Sequence, residues 1–171
     1  MESDELIEVS EKAHSSRERR VGLTMAVIAA VLATATLMGH RLHTEEVLLQ
    51  TKATDGWAYF QAKNGRFHMY ANDAVLAELA GPNGHAIAEG WKKKAEEERS
   101  QSEDIRKDNE HLEAETQAAA RRANYFDAAE ICLEIAIVLC SITLLTGAPL
   151  FWRLSFVGAA IGIAIGAFGF L

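Results

Sequence analysis

The chain has 171 residues, enough for one domain, and 49% of them are hydrophobic. Its formal net charge of −7 argues against the basic surface that nucleic-acid binding requires. The hydrophobic residues are concentrated in three long runs, which is typical of membrane proteins. We therefore expect a lipid bilayer, and no nucleic acid, among the partners of this chain.

The polar N-terminal segment, residues 1–20, ends in the basic string RERR, and residues 21–39 carry no charge. Because an α-helix rises 1.5 Å per residue, about 20 residues cross a hydrocarbon core of roughly 30 Å. Residues 21–39 are thus predicted to form transmembrane helix 1. The alternatives are a buried core helix and a secretory signal peptide. The string LMGHRLH after the run offers no convincing cleavage site for a signal peptide.

Residues 40–127 are polar and predict an extramembrane helical hairpin with a turn near 80–84, in the string AGPNG. Two long antiparallel helices would pack in a coiled-coil-like manner. The first arm has an inward stripe of residues mostly three or four apart: Leu42, Leu49, Ala53, Trp57, Phe60, Asn64, Phe67, Ala71, Val75 and Leu79. The second arm has two heptad positions: Trp91, Ile105, Leu112, Ala119 and Phe126, and Ala95, Ser102, Asn109, Thr116 and Ala123. Residue numbers that sum to about 165 are predicted to pair across the arms.

The string WAYFQAK is the most particular part of the first arm. Trp57 and Phe60 lie on the inward stripe, whereas Tyr59 and Lys63 lie one turn apart on a different face. These residues either pack within the hairpin or belong to an interaction surface. Off the stripe, an apolar strip is expected to bind another copy or a foreign subunit. The candidate interaction residues are Trp57, Tyr59, Phe60, Gln61, Lys63, Met69, Tyr70 and Leu76, with Val47 and Leu48 also in the strip.

Two glycines interrupt this helical pattern, Gly56 and Gly65. Each lowers helix propensity by roughly 1 kcal/mol relative to alanine, so the first arm has two candidate kinks.

Residues 128–148 and 150–171 are predicted to be transmembrane helices 2 and 3. Glu130 and Glu134 lie one turn apart near the start of helix 2, where they could line an ion pathway or reach the membrane interface. Glycines four residues apart form a stripe for close helix packing in helix 3: Gly158, Gly162 and Gly166. This stripe packs either on Ala26, Ala30 and Thr34 of helix 1 or on another copy.

The basic residues predict the orientation in the membrane. Because RERR precedes the first span, the positive-inside rule places the N-terminus in the cytoplasm and the hairpin outside it. Arg41, Arg121 and Arg122 flank the spans on the opposite side and weaken this signal.

The sequence contains no catalytic, cofactor-binding or metal-binding motif, so we expect neither an enzyme nor a bound cofactor or metal. The strings EEVLLQTKATDGWAYFQAKNGR and FDAAEICLEIAIVLCSITLLTGAPLFW and the glycine-rich last span resemble the bacterial membrane family catalogued as domain of unknown function 4337. The resemblance implies three spans and no known activity. We expect an oligomeric scaffold or accessory subunit of the bacterial inner membrane; the alternative is a small channel or transporter subunit that uses Glu130 and Glu134.

Overall fold

The computed structural model describes the backbone of residues 2–170 and the side chains of residues 16–170. The fold is all-α: helix α1 (Glu2–Leu79), a short 3-10 helix (Pro82–Gly84), helix α2 (His85–Thr146) and helix α3 (Pro149–Phe168), with no strand in the described range. The predicted fold class is confirmed. Three helices are long and apolar enough to cross a membrane, as expected of a multi-pass membrane protein. The side chains of the predicted polar segment before residue 16 lie outside the described residues.

Glycine and proline set the helix ends. Gly81 (φ 79°) follows α1, and Pro82 begins the 3-10 helix of the turn. Gly147 (φ 70°) ends α2, where its N–H donates to Thr143 O at 2.8 Å, and Pro149 begins α3. A positive φ favours glycine after a helix, and proline suits the first helical turn because its missing N–H is not needed there. The predicted turn at 80–84 therefore agrees with the structure.

The chain divides into two compact units. We call Met1–Thr44 with Ala119–Leu171 the span unit, and Glu45–Ala118 the hairpin unit. In the span unit, α1 and α3 both pack against α2. The core of the span unit comprises Val21, Ile28, Ala35, Phe126, Leu133, Ala136, Cys140 and Ala159.

In the hairpin unit, buried and half-buried residues recur every seven positions. On α1 they form three series: Leu49, Gly56, Lys63, Tyr70 and Ala77; Ala53, Phe60, Phe67 and Ala74; and Trp57, Asn64 and Ala71. On α2 they are Trp91, Glu98, Ile105 and Leu112, and Ala88, Ala95, Ser102, Asn109 and Thr116. The predicted second-arm positions that fall within this unit are correct.

The predicted inward stripe of the first arm is wrong beyond Ala71. Val75 and Leu79 are 58% and 79% exposed, and Ala74 is buried instead. The true pattern has a strict seven-residue repeat that includes Gly56 and Lys63. A stripe drawn only through apolar residues leaves out Gly56 and Lys63. Its successive steps of four residues then move away from the seven-residue repeat and reach the outer face of the helix.

The arms pair in the predicted register. Gly56 lies against Asn109, and Lys63 Nζ donates to Gln101 Oε1. Helix α1 continues through Gly56 and Gly65 without interruption, so neither candidate kink breaks the helix.

Candidate interaction surface

Trp57 makes its contacts within the hairpin unit. Its ring meets Phe60 edge-on, with the centroids 5.5 Å apart, and its Nε1 donates to Glu113 Oε1 of the other arm at 2.8 Å. Both aromatic residues are half-buried. Of the two interpretations of the WAYFQAK string, packing within the hairpin accounts for Trp57 and Phe60.

Lys63 occupies the buried face of α1, and its predicted place on a different face is wrong. The residue is only 9% exposed, and its Nζ lies 3.0 Å from Glu98 Oε2. Arg66 Nε donates to the same carboxylate oxygen at 3.2 Å. The long aliphatic part of a lysine can be buried while its charge is paired, which explains how a heptad core position accepts it.

This cluster determines the ionisation of Glu98. Burial raises the pKa of the Glu98 carboxyl, but the hydrogen bonds from Lys63 and Arg66, together with their charges, outweigh burial and hold the pKa below its ordinary value. A pair of cations thus keeps Glu98 charged between the arms.

Tyr70 is half-buried and stacks on Trp91, with the ring centroids 5.2 Å apart and an interplanar angle of 24°. Lys94 Nζ lies over the Trp91 ring, 4.5 Å from its centroid. Tyr70 was expected in the outer strip, and that expectation is wrong because Tyr70 occupies a heptad core position, seven residues after Lys63. Its contacts hold the two arms together near the turn.

The outward face of α1 in the hairpin unit carries large apolar side chains. Leu48, Met69 and Leu76 share one heptad position and are 48–64% exposed. Ala62 occupies the same position, and Asp55 interrupts the series. We define the outer strip as the exposed residues Val47, Leu48, Tyr59, Gln61, Met69 and Leu76.

The strip continues toward the turn with Val75 and Leu79, which were predicted on the inward stripe, and with Ile87, for which no position was predicted. Val75, Leu79 and Ile87 are all more than half exposed. A seven-residue repeat that starts at Ala53 passes through Phe60, Phe67 and Ala74. It would therefore have predicted Ala74 inside, and Val75 and Leu79 outside. By contrast, the outward side of α2 is charged: Arg106 pairs with Glu103 at 2.9 Å and with Glu110 at 3.0 Å. Exposed apolar surface in this unit is therefore concentrated on α1 and near the turn.

The two candidate pathway carboxylates have different surroundings in the span unit. Thr36 Oγ1 of α1 donates to Glu130 Oε1 at 2.9 Å, and Glu130 is half-buried. Glu134, one turn further into the span, is exposed. Nearer the end of the span, His43 Nε2 lies 3.1 Å from Asp127 Oδ2. Among the described residues, no three His, Cys, Asp or Glu side chains are grouped to hold a metal ion.

The glycine stripe of α3 packs on α2. A Cβ atom at Gly162 would lie 3.0 Å from Ala129 O, and one at Gly158 or Gly166 would lie 3.5 Å from an alanine Cβ of α2. Of the two expected partners, helix 1 is wrong, because atoms of α2 and not of Ala26, Ala30 or Thr34 lie nearest to the three glycines. Missing side chains on α3 thus let the backbones of α2 and α3 approach closely.

Neither the curated proteins nor the solved structures include a match to this chain. One family does match: the family described as "Domain of unknown function (DUF4337)" matches residues 17–171, which cover the described side chains of both units almost completely. The chain therefore belongs to the DUF4337 family, whose function is unknown.

Proposed function

We propose that this chain is a non-enzymatic interaction protein of the bacterial inner membrane that forms a homo-oligomeric scaffold through its hairpin unit. The observation that carries the proposal is the outer strip on α1. Its large apolar side chains face away from α2, which covers the opposite face of α1. Large exposed apolar side chains that are grouped on one face of a helix are typical of an interface.

A second copy of the same chain suits this surface. Two identical α1 strips can meet about a two-fold axis, so each copy both gives and receives the same apolar contacts. The outward side of α2 is charged and offers no comparable apolar surface. Its Arg106 is already paired with Glu103 and Glu110 of the same helix. A foreign subunit of a larger membrane complex is the alternative partner.

The proposed location is the inner membrane, with the N-terminus in the cytoplasm and the hairpin on the other side. The basic string at residues 17–20 supports this orientation by the positive-inside rule.

A channel or transporter subunit is the second candidate, because Glu134 is exposed in a span and could face a pore between copies. It ranks lower since Glu130, the other carboxylate of the pair, is occupied by Thr36 within the same chain. One exposed carboxylate alone supplies too few polar groups to line an ion pathway across the membrane.

The oligomer is tested by the molar mass of the purified chain in mild detergent. We expect the wild type to be oligomeric and the double variant Met69→Glu, Leu76→Glu to be monomeric. Ala114→Glu places the same carboxylate at an exposed site on α2 and should leave the oligomer intact. A monomeric wild type over the whole accessible concentration range would contradict the proposal.

A further inference from the structure

An apolar groove runs between α1 and α3 in the span unit, with α2 as its floor. Two cavities form it, of about 310 Å³ and about 320 Å³. They share Val31, Leu133 and Ile163, so the groove is continuous along the spans. Its lining is almost entirely hydrocarbon, which makes it a site for an apolar ligand.

Two arginines flank one end of this groove. Arg20 precedes the lining residues Leu23 and Thr24 by one helical turn, and Arg153 precedes the lining residue Phe156 by three positions. Residues three or four apart share a helical face, so each arginine lies at the end of a groove wall. Both side chains are exposed and have no acidic partner among residues 16–170.

A hydrogen bond brings the two walls together at this end. Trp152 Nε1 of α3 donates to Thr24 Oγ1 of α1 at 3.3 Å. Arg153 follows Trp152 directly, and Arg20 lies one turn before Thr24. The bond therefore holds the two helices that carry the arginines at the mouth of the groove.

We propose that this site binds one anionic phospholipid, with an acyl chain in the groove half next to Thr24 and the phosphate between Arg20 and Arg153. Guanidinium groups match the geometry of phosphate oxygens, and basic sites between membrane helices bind anionic headgroups. The site rests on the proposed membrane location of the three helices but does not depend on the hairpin oligomer.

The dimensions of this groove half favour a chain over a helix. From Leu23 to Val31 it extends about 12 Å, close to the depth of one leaflet. A helix about 10 Å wide would occupy about 900 Å³ over that length, more than the roughly 690 Å³ of empty space that this groove half offers even with its open rim included. An acyl chain from the leaflet that holds its headgroup fits both the length and the volume.

The test compares phosphatidylglycerol with phosphatidylcholine of identical acyl chains, each titrated into the full-length chain in detergent. Bound lipid is counted by native mass spectrometry. We expect one tightly bound phosphatidylglycerol, weakened about fivefold by the loss of each arginine, in Arg20→Gln and Arg153→Gln. Arg41→Gln removes an exposed arginine at the opposite end of the groove, three positions after the lining residue Met38, and should leave binding unchanged.

A second pair of variants tests the groove itself. Val27→Trp fills the lining, whereas Val157→Trp makes the same change at an exposed position outside it. We expect only Val27→Trp to weaken phosphatidylglycerol binding. Equal binding of the two lipids, or binding that Val27→Trp does not alter, would overturn the proposal. If Val27→Trp instead changes the oligomeric state with lipid binding intact, the groove holds a protein helix and the proposal is wrong.

Discussion

Gly56 of α1 approaches Asn109 of α2 so closely that a Cβ atom at position 56 would lie 2.0 Å from Asn109 Oδ1. Asn109 is 2% exposed, and its Nδ2 is buried without a hydrogen-bond partner among the described residues. The polar side chain of Asn109 thus occupies the space that a side chain at position 56 would fill. The separation of the two arms at this level therefore depends on glycine at position 56.

Gly56→Ala should destabilise the hairpin unit by about 1–3 kcal/mol, because the new methyl group overpacks the contact with Asn109. Gly65→Ala is the matched control, since a Cβ atom there meets nothing within 4 Å. It should stabilise the helix by up to about 1 kcal/mol through helix propensity. Thermal unfolding of the full chain in detergent, followed by circular dichroism, measures both effects. Equal effects of the two substitutions would contradict the close contact.

The same contact predicts strong coupling between positions 56 and 109. In an Asn109→Ala background the space opposite Gly56 is empty, so Gly56→Ala should destabilise the hairpin unit much less than it does in the wild type. The coupling free energy in this double-mutant cycle should exceed about 1 kcal/mol, whereas distant positions add within about 0.5 kcal/mol. Additive effects would mean that the two residues do not touch.

The Lys63, Arg66 and Glu98 cluster predicts a pH dependence of hairpin stability. Because the folded pKa of Glu98 is lowered, the stabilisation is present above the carboxyl pKa of the unfolded chain, about 4.3. It is lost as the pH falls through the lowered folded value. Glu98→Gln should be less stable than the wild type at neutral pH and should lose less stability on acidification.

Unfolding midpoints between pH 6 and pH 3 test this expectation. Glu97→Gln, at an exposed neighbouring position, should keep the wild-type profile. A fall in stability that is parallel in the wild type and Glu98→Gln would show that the cluster does not carry the pH dependence.

The sequence predicts the architecture better than the surfaces. Three long apolar runs and the string AGPNG were sufficient for the spans and the turn, because span length and helix ends follow local rules. The inward face near the turn was mispredicted, since the core of the hairpin contains Lys63 and Gly56, which no hydrophobic pattern includes. Whether a lysine is buried depends on partners about 35 positions away in the chain.

The helix that packs on the glycine stripe likewise could not be predicted from the sequence. Spacing identified Gly158, Gly162 and Gly166 as small residues on one face, but which helix fills that space depends on tertiary packing. In the structure that helix is α2.

Gly162→Leu should therefore disrupt the span unit. Its side chain would meet Ala129 O and Leu133 of α2, each 3.0 Å from the Cβ position, at a cost of at least about 1–3 kcal/mol. Gly22→Leu, where nothing lies within 4 Å, is the control and should have little effect. Thermal stability of the purified chain in detergent measures the difference. Equal stability of the two variants would place the stripe away from α2.

Orientation can be measured with Asn83→Cys in the hairpin turn. The native cysteines, Cys132 and Cys140, both lie in the second predicted span, so the wild type should label little. A membrane-impermeant maleimide should label Asn83→Cys in intact cells if the hairpin is extracytoplasmic. Thr146→Cys, at the exposed end of α2, should react only after lysis. If Thr146→Cys reacts in intact cells and Asn83→Cys reacts only after lysis, the orientation is opposite to the predicted one.

Disulfide crosslinking in native membranes tests the oligomer most directly. Single cysteines at Met69 and at Leu76, both on the outer strip, should form covalent dimers on mild oxidation. The pair Phe60→Cys, Ile105→Cys faces the inside of the hairpin and should crosslink within one chain, which provides the internal control for oxidation. If that control crosslinks while neither outer-strip cysteine yields a dimer, the homo-oligomer through α1 is contradicted.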